Sequence, residues 1–122
     1  MSQQKTMSLA KLFRLFSPVE QLQTPTHTWN VETTWLHEHH PRRMARVRNS
    51  IQRLGILDPL RLCYGDDSAC GTTLHVVDGH HRAVIARELG IKRVPVASAW
   101  DGSDWWTSID ESQDDNPEGW PA

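Results

Sequence analysis

The stretch Leu74–Leu89 constrains the fold most, because a short apolar strand passes through a glycine directly into a helix. Residues 74–77 are apolar except at one position, which predicts a buried strand. Apolar residues then recur at helical spacing through residues 83–89, and Gly90 is the predicted end of the helix. The strand and the helix are therefore joined by five residues, Asp78-Gly79-His80-His81-Arg82.

This junction is predicted to bind an anion. A helix N-terminus leaves backbone N–H groups unpaired and carries about half a positive charge. Gly79 lets the backbone approach an anion closely, and Arg82 can offer two parallel hydrogen bonds to phosphate oxygens. His80 and His81 add donors whose charge changes near neutral pH. The alternative is that Asp78 only caps the helix and that the two histidines are exposed turn residues.

The other apolar patterns predict a small single α/β (α+β) domain with a mixed sheet and two main helices. Residues 31–36 are apolar and β-branched, which predicts a first strand, and residues 41–54 predict an arginine-rich helix. Residues 60–64 and 74–77 are expected to pair as a hairpin, and residues 91–97 to return to the same sheet. The predicted order of elements is βαββαβ.

The length of 122 residues allows one core, and the charges divide the chain further. All 13 Lys and Arg residues precede residue 101, and the last 22 residues hold seven acids and no base. We therefore expect an N-terminal helix and connector at 1–28, a domain at 29–100 and an acidic, flexible tail at 101–122. The alternative is a tail that folds back on the basic body and imitates a phosphate ligand.

The sequence contains no apolar run of about 18 residues, so no membrane-spanning helix is expected. The N-terminus lacks the apolar stretch and cleavage site of a signal peptide, which favours a cytoplasmic protein. Cys63 and Cys70 do not have metal-binding spacing and are interpreted as reduced structural thiols.

Over roughly residues 17–98, these pieces together resemble the ParB/sulfiredoxin superfamily. The resemblance is carried by the following motifs: Leu36-His37-Glu38, Ile51-Gln52-Arg53-Leu54-Gly55 followed by Asp58-Pro59-Leu60, Asp78-Gly79-His80-His81-Arg82, and Gly90-Ile91-Lys92-Arg93-Val94-Pro95-Val96. Within the superfamily, the Asp-Gly-His-His-Arg loop is similar to that of the free-serine kinases. A ParB/sulfiredoxin-like fold is what the resemblance implies.

The resemblance to the kinases also implies a reaction, the transfer of a phosphoryl group from ATP or ADP to a small hydroxyl substrate. It implies that the loop residues Gly79, His80, His81 and Arg82 hold the nucleotide phosphates. Glu38 takes the place of the general base, and Asp78 that of the residue that positions the hydroxyl or a Mg²⁺ ion. Additional contacts are expected from His37, Arg42 and Arg43.

Departures from the family patterns narrow the expected activity. Sulfiredoxin chemistry needs a cysteine where this loop has His80, so that activity is excluded. ParB proteins carry a Gly-Glu-Arg-Arg loop and a following helix-turn-helix, whereas an acidic tail follows here, so sequence-specific DNA binding is not favoured. The free-serine kinases extend further than this chain, which leaves the acceptor and the oligomeric state open.

Three other functions stay open beside the kinase. One is a non-catalytic ParB-like module that binds a nucleotide or associates with DNA as a regulator, and another is a ParB-like nuclease. The third is a zinc site, for which the His-Glu-x-x-His spacing is missing. Its candidate ligands are His37, His39, His40, His80 and His81.

Overall fold

The computed structural model describes residues 5–19, 26–63, 74–99 and 106. Within these ranges the chain is a mixed α+β domain with four helices and a four-stranded sheet. The elements in chain order are β1 (Thr6–Ser8), α1 (Leu9–Leu15), α2 (Trp29–His39), α3 (Pro41–Leu54), β2 (Leu60–Cys63), β3 (His75–Asp78), α4 (His80–Glu88) and β4 (Arg93–Ser98).

The sheet is mixed, as the sequence predicted, and its strand order is β1-β4-β2-β3. β2 and β3 pair in antiparallel fashion, which confirms the predicted hairpin, and β4 lies parallel to β2. β1 closes the other edge by pairing antiparallel with β4, where Met7 lies opposite Val94. Segment 5–19 thus shares the sheet and the core with the later elements.

The core forms between the sheet and the helices. Leu60 and Leu62 of β2 are buried while Arg61 between them is exposed, as the two-residue period of a strand requires. On α4 the four consecutive residues Ala83–Ala86 are all buried. Four consecutive buried residues occupy most of the circumference of a helix, so α4 is covered on most sides.

The predicted first strand, residues 31–36, is wrong because these residues belong to α2. The Thr28 side chain caps this helix by accepting a hydrogen bond from the Val31 amide at 3.3 Å. Trp29 and Leu36 are buried on one helical face, whereas Val31 and Trp35 are exposed. The helical period therefore outweighs the β-branched composition, and the predicted order βαββαβ is wrong in its first element.

The N-terminal segment also differs from its prediction. Met7 and Ser8, expected in a helix, belong to β1, and the Ser8 side chain caps α1 by accepting from the Lys11 amide at 3.4 Å. The order in the described residues is βαααββαβ, with four helices where two main helices and one N-terminal helix were predicted.

Cys63 is disulfide-bonded, so its interpretation as a reduced thiol is wrong. Cys70 lies outside the described residues, as does the acidic tail apart from Trp106, which is buried in the core. No helix in the described ranges is long and apolar enough to cross a membrane. Cytoplasmic location stays a prediction.

Gly79 is expected to tolerate a side chain poorly, because its φ is +108° and an added Cβ would lie 2.8 Å from Leu60 Cγ. Gly90 is a matched control, since its φ is +75° but an added Cβ would meet nothing within 4 Å. The positive φ costs roughly 1–2 kcal/mol at either position. The overlap adds about 1–3 kcal/mol at Gly79 alone.

In urea titrations, Gly79→Ala is therefore expected to lower the free energy of unfolding by clearly more than Gly90→Ala does. Equal losses in the two variants would contradict the close contact between Gly79 and Leu60.

Candidate anion-binding site

The N-terminus of α4 carries no side-chain cap. Gly79 is the N-cap, and the first hydrogen bond of the helix runs from the Ala83 amide to the Gly79 carbonyl at 2.8 Å. The amides of the first three helical residues consequently have no acceptor within the helix. The Asp78 side chain is 69% exposed and lies 3.5 Å from Arg82 Nη2. The alternative in which Asp78 caps the helix is therefore wrong.

A second uncapped helix begins beside the first. His40 is the N-cap of α3, its side chain makes no capping hydrogen bond, and the first turn of α3 has no acidic residue. His40 Nδ1 and His81 Nε2 are 3.1 Å apart and form a hydrogen bond, with the two rings stacked at 5.2 Å between centroids. The Trp35 ring packs edge-on against His40 at 5.0 Å. Two helix N-termini are thus joined by the His40–His81 pair.

The electrostatic surroundings lower the pKa of His81. Burial is the largest cause, followed by the positive charge of Arg43 and by the neighbouring His40 and His80, while the Glu32 carboxylate acts in the opposite direction. A neutral His81 is therefore favoured near neutral pH. A bound anion would offset these positive neighbours and draw a proton onto the ring.

His80 faces away from this pair and is anchored inside the protein. Its Nδ1 donates to Glu32 Oε2 at 2.7 Å, and its Nε2 donates to the Val76 carbonyl at 2.6 Å. The indole of Trp29 packs edge-on against the ring at 5.7 Å. The His80 side chain therefore fixes the start of α4 and is not free to contact a ligand.

The partner of His80 was missed from the sequence. Glu32 is buried on α2, and its second oxygen accepts a hydrogen bond from His27 Nε2 at 2.7 Å. One signal was available, since Glu32 lies in the same helical stripe as Trp29 and Leu36. An acid in an apolar stripe needs a partner, but the signal was lost once these residues were assigned to a strand.

The Arg82 side chain is directed at backbone carbonyls. Its Nη1 donates to the carbonyl of Asp58 and, at 3.3 Å, to that of Pro59. These bonds tie the segment before β2 to the first turn of α4, close to where Gly79 contacts Leu60. Arg82 thus stabilises the junction, and fewer of its donors are left for a phosphate than the sequence suggested.

The contacts of Glu38 and His37 do not involve the N-terminus of α4. Glu38 is on the exposed face of α2, where it lines an open cavity of about 470 Å³ together with Trp35. His37 Nε2 donates to Glu88 Oε2 at 2.7 Å, and Arg48 pairs with the same carboxylate. Within the described part of the chain, no hydrogen bond or ion pair joins Glu38 to Asp78. The role of Glu38 as general base stays a prediction.

The histidines considered as zinc ligands have different partners and do not converge on one point. His39 Nδ1 donates to the Trp35 carbonyl at 2.9 Å, while His37, His80 and the His40–His81 pair have the partners given above. In the described part of the chain, no three His, Cys, Asp or Glu side chains are grouped so that they could hold a metal ion. Mg²⁺ at Asp78 stays a prediction.

No family model, curated protein or solved structure matches the chain. The described residues that remain available to an anion are the first amides of α4, the His40–His81 pair, and Arg42 and Arg43, both exposed at the start of α3. We call this group the anion site.

Arg43→Gln is expected to raise the pKa of His81, because it removes the largest charge that opposes protonation of the ring. Arg42→Gln is the matched control, since it removes an equal charge from the neighbouring exposed position. The His81 ring protons, followed by NMR through a pH titration, give both values. A pKa that rises equally in the two variants would contradict the placement of Arg43 beside His81.

The pKa of His81 also links stability to pH. Its value is about 6.5 in the unfolded chain and lower in the folded one. The unfolded chain therefore binds more protons in this range, and the stability contributed above about pH 6.5 is lost as the pH falls through the folded pKa. As the pH is lowered through the folded pKa of His81, the free energy of unfolding of His81→Gln is expected to decrease less than that of wild type. Urea titration at each pH measures both values. A constant difference between the two proteins would contradict this linkage.

Proposed function

We propose that this chain is a ParB/sulfiredoxin-like domain that binds the phosphate groups of a nucleotide at the anion site. The observation that carries the proposal is the meeting of two uncapped helix N-termini at the His40–His81 pair. Each helix start contributes unpaired amides and a partial positive charge. The resemblance of the Asp-Gly-His-His-Arg loop to nucleotide-binding loops supports the same location.

Phosphate binding at this site relies on backbone amides and on His81. The amides of the first turn of α4 supply hydrogen bonds without a side-chain competitor. Arg43 is exposed and unpaired among the described residues, so its charge is available to the ligand. Because an anion stabilises the protonated ring of His81, binding is accompanied by proton uptake.

His80 and Arg82 serve the same site indirectly. His80 holds the start of α4 against α2 through Glu32, and Arg82 holds the segment at Asp58 against the same turn. Their side chains position the amides and are not assigned as phosphate ligands in this proposal. Gly79 contributes through its backbone conformation alone.

Phosphoryl transfer from ATP or ADP to a small hydroxyl is the second candidate, favoured by the exposed Asp78 carboxylate next to the anion site. A hard cation such as Mg²⁺ prefers carboxylate oxygen and bridges phosphates. Glu38 lies two residues before His40 but on the exposed face of α2. The candidate therefore requires an acceptor that reaches from the phosphate towards Glu38.

Calorimetric titration with ATP, ADP and CTP in the presence of Mg²⁺ tests the binding. Arg43→Gln is expected to weaken nucleotide binding roughly tenfold, or about 1.4 kcal/mol, because it removes a cation beside the phosphates. Arg53→Gln, at the opposite end of α3, removes the same charge and is expected to leave binding unchanged. Titrations in two buffers of different ionisation enthalpy should reveal the proton taken up by His81.

A wild-type chain that binds none of the three nucleotides would overturn the proposal. Any nucleotide that binds is then tested for phosphoryl transfer to free serine and to other small alcohols. Transfer that is lost in Asp78→Asn while binding persists would support the kinase. Binding without transfer would assign the chain to the non-catalytic alternative.

A further inference from the structure

The solvent face of α3 carries a row of arginines that the anion site does not use. Arg42, Arg46, Asn49 and Arg53 are spaced by four, three and four residues, and all four are exposed. Met44 and Ile51 are buried on the opposite face of the same helix. We call the four exposed residues the arginine stripe, which extends about 16 Å along the helix axis.

No acidic side chain pairs with the stripe in the part of the chain that the structure describes. Helix α3 contains five arginines and no acidic residue, and only Arg48 has an ion-pair partner, Glu88, among the described residues. An ordinary solvated helix face places acids four residues from bases, which stabilises the helix. Here Arg42 and Arg46 are like charges at that spacing, and Arg42 also opposes the helix dipole in the first turn. The stripe therefore destabilises the helix that carries it.

We propose that the arginine stripe binds the phosphate backbone of double-stranded nucleic acid. Charge complementarity supports this partner through α3 itself, which has five arginines and no acidic residue, within a full chain of 13 Lys and Arg residues and 15 Asp and Glu residues. Phosphates of one DNA strand follow each other about every 3.4 Å along the axis, so a stripe of this length spans several of them. Guanidinium groups bind phosphate through two parallel hydrogen bonds.

The shape of α3 fits the same partner. An α-helix about 10–12 Å wide enters the major groove of B-DNA, which is about 12 Å wide. Asn49 lies in the middle of the stripe, where its amide can contact base edges. An acidic protein segment, including residues 101–122 of this chain, offers charge but no such groove, and its occupancy is one outcome of the test.

The test measures binding of a short fluorescent DNA duplex to the full chain by anisotropy over a range of salt concentrations. Arg46→Gln/Arg53→Gln is expected to weaken binding at least about tenfold and to lower the slope of log K against log salt by about two. The matched control is Arg14→Gln/Arg61→Gln, which removes two exposed charges outside α3. It is expected to change both quantities much less.

Several outcomes would overturn the proposal. The first is that the wild type does not bind the duplex at low salt, and the second is that the two double variants lose equal DNA affinity. The third is that DNA binding appears only after Asp110, Glu111, Asp114 and Asp115 are neutralised. The last outcome would assign the stripe to the acidic tail.

Two controls separate this proposal from the others. Urea titration checks that the double variants are folded. Titration with ATP separates the proposals, because neither Arg46 nor Arg53 belongs to the anion site. A stripe variant that loses DNA binding but keeps nucleotide binding supports the stripe alone.

Discussion

The hydrogen bond between Glu32 and His80 governs how the candidate site is assembled. A buried carboxylate is tolerated only when its oxygens are paired, and Glu32 meets this condition through His80 on one oxygen and His27 on the other. Because His80 is the first residue of α4, this contact fixes the start of α4 against α2. The next residue, His81, is thereby directed at His40, where α3 begins.

In the Asp-Gly-His-His-Arg loop next to this contact, some residues stabilise the backbone and others are available for binding. Gly79 approaches Leu60 too closely for any side chain, and Arg82 is bonded to the carbonyls of the preceding segment. These residues hold the backbone in place, whereas the His81 side chain contacts His40 at the neighbouring helix start. A loop that looks like four ligands in the sequence is thus mostly a support for its own backbone.

Helix α3 connects the two proposed surfaces. Its N-terminus contributes to the anion site, while its solvent face carries the arginine stripe. Arg42 belongs to both groups, since it lies in the first turn and at the end of the stripe. A ligand at one surface therefore changes the electrostatic potential at the other, although Arg46 and Arg53 lie on the stripe alone.

The sequence by itself determined the elements whose signals are local. Pro41 and Gly55 bound α3, the hairpin follows from residues 60–64 and 74–77, and the strand-to-helix junction follows from its glycine. Residues 31–36 combine a β-branched composition with the helical spacing of Trp29, Glu32 and Leu36, and the tertiary structure favours the helix because that face packs against the core. It also decided that Glu32 pairs with His80 and that His40 meets His81, since these partners lie more than 40 residues apart. Local patterns set the period of an element, but such distant pairs form only when packing brings their elements together.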